Sequence, residues 1–174
     1  MPTFIPRSQT AAAKRGVQGK EAEDAVAEFL ADLALNKIFD YERNYDARSS
    51  SGHNLARRCG DFTWYMKYRD AAMHGVIEVK ETNSTTSLPY ANFENHQIGK
   101  LLRRKFAGGN AFALIHIGAN TETPSWVWAS VEWLQANRTE ERKSWDLRTL
   151  TKYTTLDEIP AMAILRALAT GRAA

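Results

Sequence analysis

Asp61 and, further on, the run Ile77-Glu78-Val79-Lys80-Glu81 hold the residue types best suited to chemistry in this 174-residue chain. Two carboxylates and a backbone carbonyl, here Asp61, Glu78 and Val79, can hold Mg²⁺, which takes oxygen ligands and keeps several waters. A cation held there acidifies a bound water and offsets charge building on a phosphate. Lys80 stands two residues beyond Glu78, so on a strand the two side chains share a face. From that face the ammonium can orient an attacking water or neutralise a phosphate oxygen. Such a set is that of a divalent-metal nuclease. Spacing alone does not single it out, because many hairpins carry Asp and Glu-x-Lys on a solvated face.

The elements around these residues must bring them together. Phe62, Trp64, Met66 and Tyr68 alternate with Asp61, Thr63, Tyr65 and Lys67, which predicts a strand from Asp61 to Arg69. Asp70 to Gly75 reads as a turn and Val76 to Lys80 as the return strand. With the turn centred near residues 70–72, antiparallel pairing sets Asp61 opposite residues around Lys80. Upstream, Ala22, Val26, Phe29, Leu30 and Leu33 form the apolar stripe of a helix that begins at Gly19. Glu23 lies nearer that stripe than Glu21, Asp24, Glu28 or Asp32, so it is the helical acid carried forward as a site candidate. Residues 1–18, with Arg7, Lys14 and Arg15, read as a flexible basic arm. Residues 19–174 are expected to form a single domain, with a first strand inside residues 36–48.

Two cationic segments flank the candidate site. The loop over residues 46–59 carries Arg48, Arg57 and Arg58 just before Asp61, where phosphate contact is expected. After an irregular stretch over residues 82–92, a helix is expected from about Phe93, with Asn92 as its N-cap. Ile98, Leu101, Leu102 and Phe106 form its buried side and Gly108-Gly109 ends it. Lys100, Arg103, Arg104 and Lys105 on that helix, with no acid beside them in sequence, point to DNA contact. Ala111 to Ile117 and Trp126 to Trp128 read as strands, Val131 to Leu134 as a short helix, and Ala161 to Ala169 as a closing helix. Residues 137–152 are polar and charged. The five tryptophans and four histidines are assigned mostly to structure.

Composition bounds the function without specifying it. A net charge of +3 and a pI of about 9.0 permit a polyanionic partner. The single cysteine, Cys59, excludes an internal disulfide, and no Cys-x-x-Cys or His-x-x-His pairing suggests structural zinc. No apolar run has the length of a membrane span, so a soluble, cytoplasmic protein is expected.

The series Ile77-Glu78-Val79-Lys80-Glu81-Thr82, Thr86-Ser87-Leu88-Pro89, Asn92-Phe93 and His96-Gln97-Ile98 resembles the RecU family of Holliday junction resolvases. The later Gly108-Gly109 before an apolar strand is similar too. The resemblance covers roughly residues 19–118. It implies the PD-(D/E)XK nuclease superfamily, an α/β, restriction-endonuclease-like fold with a mixed central β-sheet flanked by α-helices. Asp61 and Glu78 would be the metal carboxylates, Lys80 the catalytic lysine, and Glu23 the acid of the first helix. Gln97 matches the family's helical glutamine and joins the catalytic set. Two features depart from the family. Cys59-Gly60-Asp61 stands where a Thr-Thr-Asp type sequence is usual, and the preceding loop is shorter than the family's protruding stalk. Arg48-Ser49-Ser50-Ser51-Gly52 looks more like the Ser-Gly loop of archaeal-type resolvases, which adds Ser49, Ser50 and Ser51 to the DNA-binding set. Such mixed features in a compact chain suit a phage-encoded enzyme.

The resemblance implies a metal-dependent endonuclease that resolves four-way junctions by paired nicks, with Mg²⁺ or Mn²⁺ held by Asp61, Glu78, Val79 and Glu23. Paired nicking requires a homodimer. A nuclease of the same fold acting on flaps, ends or duplex DNA, or a non-catalytic DNA-bridging protein, are the competing readings.

Overall fold

A computed structural model describes residues 11–44, 59–94 and 96–171. In chain order the elements are α1 (Ala11–Ala34), β1 (Phe39–Arg43), β2 (Phe62–Tyr68), β3 (Ala71–Thr82), β4 (Ser87–Pro89), α2 (Gln97–Phe106) and β5 (Asn110–Ile117). They continue with β6 (Ser125–Ser130), α3 (Val131–Ala136), β7 (Ser144–Asp146), β8 (Lys152–Tyr153) and α4 (Pro160–Ala169). Six strands form one sheet in the order β1-β2-β3-β5-β6-β8, and β4 pairs with β7 in a separate ribbon. Among the described strands of this sheet only β3 and β5 run parallel. Parallel neighbours need a crossover, and α2 supplies it. A mixed sheet flanked by helices is the architecture expected.

Alternation along the strands divides the core into two layers. Phe62, Trp64 and Met66 of β2, with Ile77 and Val79 of β3 and Phe112 and Leu114 of β5, pack against Val26, Leu30 and Leu33 of α1 and Met162 and Leu165 of α4. On the other face Val76, Ala113 and Ile115 meet Ile98 and Leu101 of α2 and Val131 and Leu134 of α3. Trp145 of β7 is buried in that second layer. Its indole donates to Leu134 O over 2.8 Å, and its ring meets Phe93 edge-on at 5.3 Å. Through this contact the C-terminal third braces the segment that covers Lys80.

Several boundaries differ from the sequence expectation, each for a physical reason. Helix α1 opens at Ala11 rather than Gly19, since Ala11-Ala12-Ala13 are strong helix formers. Strand β3 begins at Ala71, because the chain reverses tightly at Arg69-Asp70 with Arg69 at φ 53°. Helix α2 begins at Gln97 rather than Phe93. Asn92 does not cap it; a 3₁₀ turn over Tyr90–Asn92 intervenes and the Asn92 amide donates to Glu81 O over 3.1 Å. Phe106, expected in the core, is 82% exposed as the last residue of α2. The irregular stretches contribute β4, β7 and β8, strands too short to show a period. Residues 1–10 lie outside the described residues, as do Arg48, Ser49, Ser50, Ser51, Arg57 and Arg58 of the cationic loop.

Candidate active site

The tight reversal decides which charges meet. Phe62 faces Ile77 across the β2–β3 pair, so Asp61 falls beside Glu78 rather than opposite Lys80. The Asp61 N–H donates to Ile77 O at 2.9 Å, and Asp61 Oδ2 accepts the Val79 N–H at 2.6 Å. Gly60, at φ +69°, makes this approach feasible, because a Cβ there would lie 2.2 Å from Val76 Cγ1 and 2.9 Å from Ile77 O. Asn44 holds the same end from β1's side: its N–H donates to Asp61 O at 2.7 Å and its amide to Thr63 Oγ1 at 2.9 Å.

Glu78 is completely buried on the sheet face covered by α2. Its Oε1 accepts from Gln97 Nε2 at 2.6 Å and from the Lys80 ammonium, while Oε2 is buried without a hydrogen-bond partner. Gln97 is held in turn, since its Oε1 accepts the Glu94 N–H at 2.8 Å. Lys80 Nζ also lies 5.2 Å from the centre of the Phe93 ring, a cation–π contact that fixes its height over the sheet. Sequence reasoning missed Phe93 and Asn44, because an aromatic on a loop and an asparagine after a strand carry no distinctive spacing.

The electrostatics of the pair are unfavourable without a cation. Burial, reinforced by the Glu78 charge, pushes the Asp61 carboxyl up to about 7, against the pull of Lys80 and the Val79 N–H. Burial likewise raises Glu78, with Lys80 opposing. Two adjacent carboxyls that resist ionising, one with an unpartnered buried oxygen, form the donor set that a divalent cation satisfies. These residues therefore fit such an ion.

Glu23 reaches this pair differently from its expected role. It projects from α1 and binds Arg43 Nη2 of β1 at 2.8 Å, while Asp24 takes Nη1 at 2.6 Å. Its charge still contributes to the raised pKa of both Asp61 and Glu78. Among the described residues no group of three or more His, Cys, Asp or Glu side chains is arranged to hold a metal. At the end of the β2–β3 pair the carboxyls set side by side are Asp61 and Glu78, with Glu23 held off on Arg43.

The four cations of α2 divide between two faces. Lys100 and Arg104 follow Gln97 by three and seven residues and so share its side of the helix. Both act electrostatically on the thiol of Cys59, two residues before Asp61, opposing the burial that raises it. Lys105 instead pairs with Glu132 of α3 at 2.5 Å. That acid is distant in sequence, so the absence of a neighbouring acid in the helix itself was misleading. Arg103 is exposed.

Comparison with known proteins follows the same lines. The family model for recombination protein U matches residues 71–169, more than half of the chain, a stretch that holds Glu78, Lys80 and Gln97. The solved structure of Hjc from Archaeoglobus fulgidus, a Holliday junction resolvase from an archaeal hyperthermophile, is similar with a TM-score of 0.44 and 18% identity. That likeness covers 71% of this chain and 86% of Hjc. No curated protein matches the sequence. Among the described residues no helix is long and apolar enough to cross a membrane.

Proposed function

The chain belongs to the recombination protein U family of Holliday junction resolvases, divalent-metal-dependent endonucleases; on that premise we propose that Asp61, Glu78 and Lys80 are its catalytic centre. The reaction is hydrolysis of a phosphodiester in each of two strands of a four-way DNA junction. The observation that carries this reading is the juxtaposition of the half-buried Asp61 carboxyl with the fully buried Glu78, whose Oε2 is left unpartnered beside a lysine.

Asp61, Glu78 and the Val79 carbonyl would hold the ion, Mg²⁺ or Mn²⁺, with Glu23 acting through space on the same charge balance. When bound, the ion supplies Lewis acidity and a more acidic water. Lys80, pinned between Glu78 and the Phe93 face, offers its ammonium to the attacking water or to a phosphate oxygen. Gln97 is a positioning residue: it fixes Glu78 Oε1 and so keeps Oε2 directed away from the helix amide. Lys100 and Arg104 hold the phosphate backbone beside the site, and the loop with Arg48, Ser49, Ser50, Ser51, Arg57 and Arg58 is assigned the same task, with Arg103 and Lys105 as outer contacts. Paired nicks on a symmetric junction require two such centres about a two-fold axis, hence a homodimer.

The test is cleavage of a labelled four-way junction in Mg²⁺. Wild type should cut, whereas Asp61→Asn and Glu78→Gln should lose cleavage by about a thousandfold or more. Cleavage retained by either variant contradicts the assignment.

A further inference from the structure

The two faces of the sheet are unequally covered. Helices α1 and α4 pack over β1 and β2 on one side. On the catalytic side α2 and α3 cover β3, β5 and β6, and among the described residues no helix covers β1 and β2. The alternation along β2 records this: Trp64 and Met66 are buried, while Tyr65 is 47% exposed and Lys67 is exposed too. Tyr65 lies on the same face as Asp61, four residues along the strand. At about 3.3 Å per residue it stands about 13 Å from the carboxylate position.

A trough of about 610 Å³ runs along this open face, lined by Lys37, Ile38, Tyr65, Lys67, His74 and Arg104. Arg104 joins it to the catalytic end. The same side chain lines the trough, acts electrostatically on the Cys59 thiol and shares the α2 face of Gln97. Two acids, Asp40 and Asp70, also line the trough, and Asp40 Oδ1 is taken by the Tyr41 N–H at 2.9 Å. The register sets Tyr65 between Asp40 of β1 and His74 of β3, with Lys67 two residues further along beside Ile38 and Arg104 entering from α2.

We propose that this trough is a DNA subsite in which Tyr65 stacks on an unpaired base of the substrate while Lys67 and Arg104 hold the flanking phosphates. The inference rests on the nuclease reading above and adds to it a place for a strand that leaves the scissile phosphate. Three cations against two acids give too little excess charge to attract a phosphate to the middle of the trough, but they suit a neutral base there with phosphates at the ends. An exposed ring on a rigid strand is a stacking platform that any base can use. Bases within a duplex have both faces occupied, so the platform selects DNA with unpaired bases, as at a strand end or an opened branch point.

The test uses the full chain in EDTA, where no cleavage occurs, and three labelled DNAs: an oligothymidine single strand, a four-way junction and a linear duplex. Tyr65→Ala should weaken binding to the single strand and the junction by about tenfold, and Tyr65→Phe should restore it to within about twofold of wild type. Duplex affinity should stay within about twofold throughout. Lys67→Gln should lower the slope of log affinity against log salt by about 0.7 on the single strand. Unchanged single-strand binding by Tyr65→Ala, or an equal loss on duplex, overturns the subsite. A Tyr65→Ala protein that sediments as a smaller species with DNA binding intact assigns the face to a second copy instead, and also overturns it. Failure of the wild type to bind any of the DNAs would refute the underlying nuclease reading, a result distinct from these.

Discussion

The side-chain amide of Gln97 donates to Glu78 Oε1 over 2.6 Å, and its own oxygen accepts the Glu94 N–H over 2.8 Å. Glu78 is thereby held by a helix that lies nineteen residues downstream in the chain. With Oε1 shared between Gln97 and Lys80, the remaining oxygen is the one a cation can take. Outer partners of this kind typically govern metal affinity by about 10–100-fold.

Gln97→Ala should therefore raise the Mg²⁺ concentration at half-maximal cleavage by about tenfold, with much of the rate recovered at saturating metal. A metal titration of junction cleavage checks it. An equal loss at every Mg²⁺ concentration would show that Gln97 does not act through the metal site.

The metal-free protein should lose stability as pH rises. The Asp61 carboxyl ionises near its ordinary 3.8 when unfolded and at about 7 when folded. Between these values the native state keeps a proton that the unfolded chain has released, so unfolding is progressively favoured and the loss is complete above about pH 7. Asp61→Asn removes this penalty. In EDTA at about pH 8 it should raise stability by about 2 kcal/mol and Tm by about 4–8 °C, with the gain vanishing near pH 4. Thermal melts across that range decide it, and a gain of the same size at pH 4 would contradict the cause given.

Divalent metal should oppose the same penalty. At about a hundred times its dissociation constant, an ion binding only the native state adds about 2.7 kcal/mol. Wild type should show this rise in Tm above neutrality, and Asp61→Asn should show little of it. Equal stabilisation of both proteins by Mg²⁺ would place the ion elsewhere.

The cations of α2 should be unequal. Arg104→Ala should weaken junction binding and reduce the salt slope by about 0.9, the change expected when one phosphate is no longer neutralised. Lys105→Ala should reduce it less, because its ammonium is already paired with Glu132. Binding measured against salt concentration separates them, and equal slopes would undo the division of the helix into two faces.

How much of this was legible in the residues follows from what each local pattern encodes. Alternation along residues 61–69 and the stripe from Ala22 to Leu33 revealed elements that bury one face, and the structure contains both. The convergence of Asp61 and Glu78 was approached but misregistered. A turn centre is ambiguous by a residue or two, and a tight reversal at Arg69-Asp70 replaces the broader one expected. The helix boundary at Gln97 was lost because a 3₁₀ turn imitates a helical start at Asn92. Partners distant in the chain, such as Arg43 for Glu23, Glu132 for Lys105 and Trp145 for Phe93, leave no sequence period at all. Gln97 was visible only through family resemblance, and its bond to Glu78 supplies the physical reason for a glutamine there.

The most direct measurement is strand mapping of a labelled four-way junction and a matching linear duplex, each incubated with wild type and Asp61→Asn, with and without Mg²⁺. The account predicts paired nicks at symmetry-related positions of the junction, from wild type and only with Mg²⁺, and an intact duplex. Equal cutting of the duplex would contradict junction selectivity, and junction binding without cleavage would contradict the catalytic centre itself.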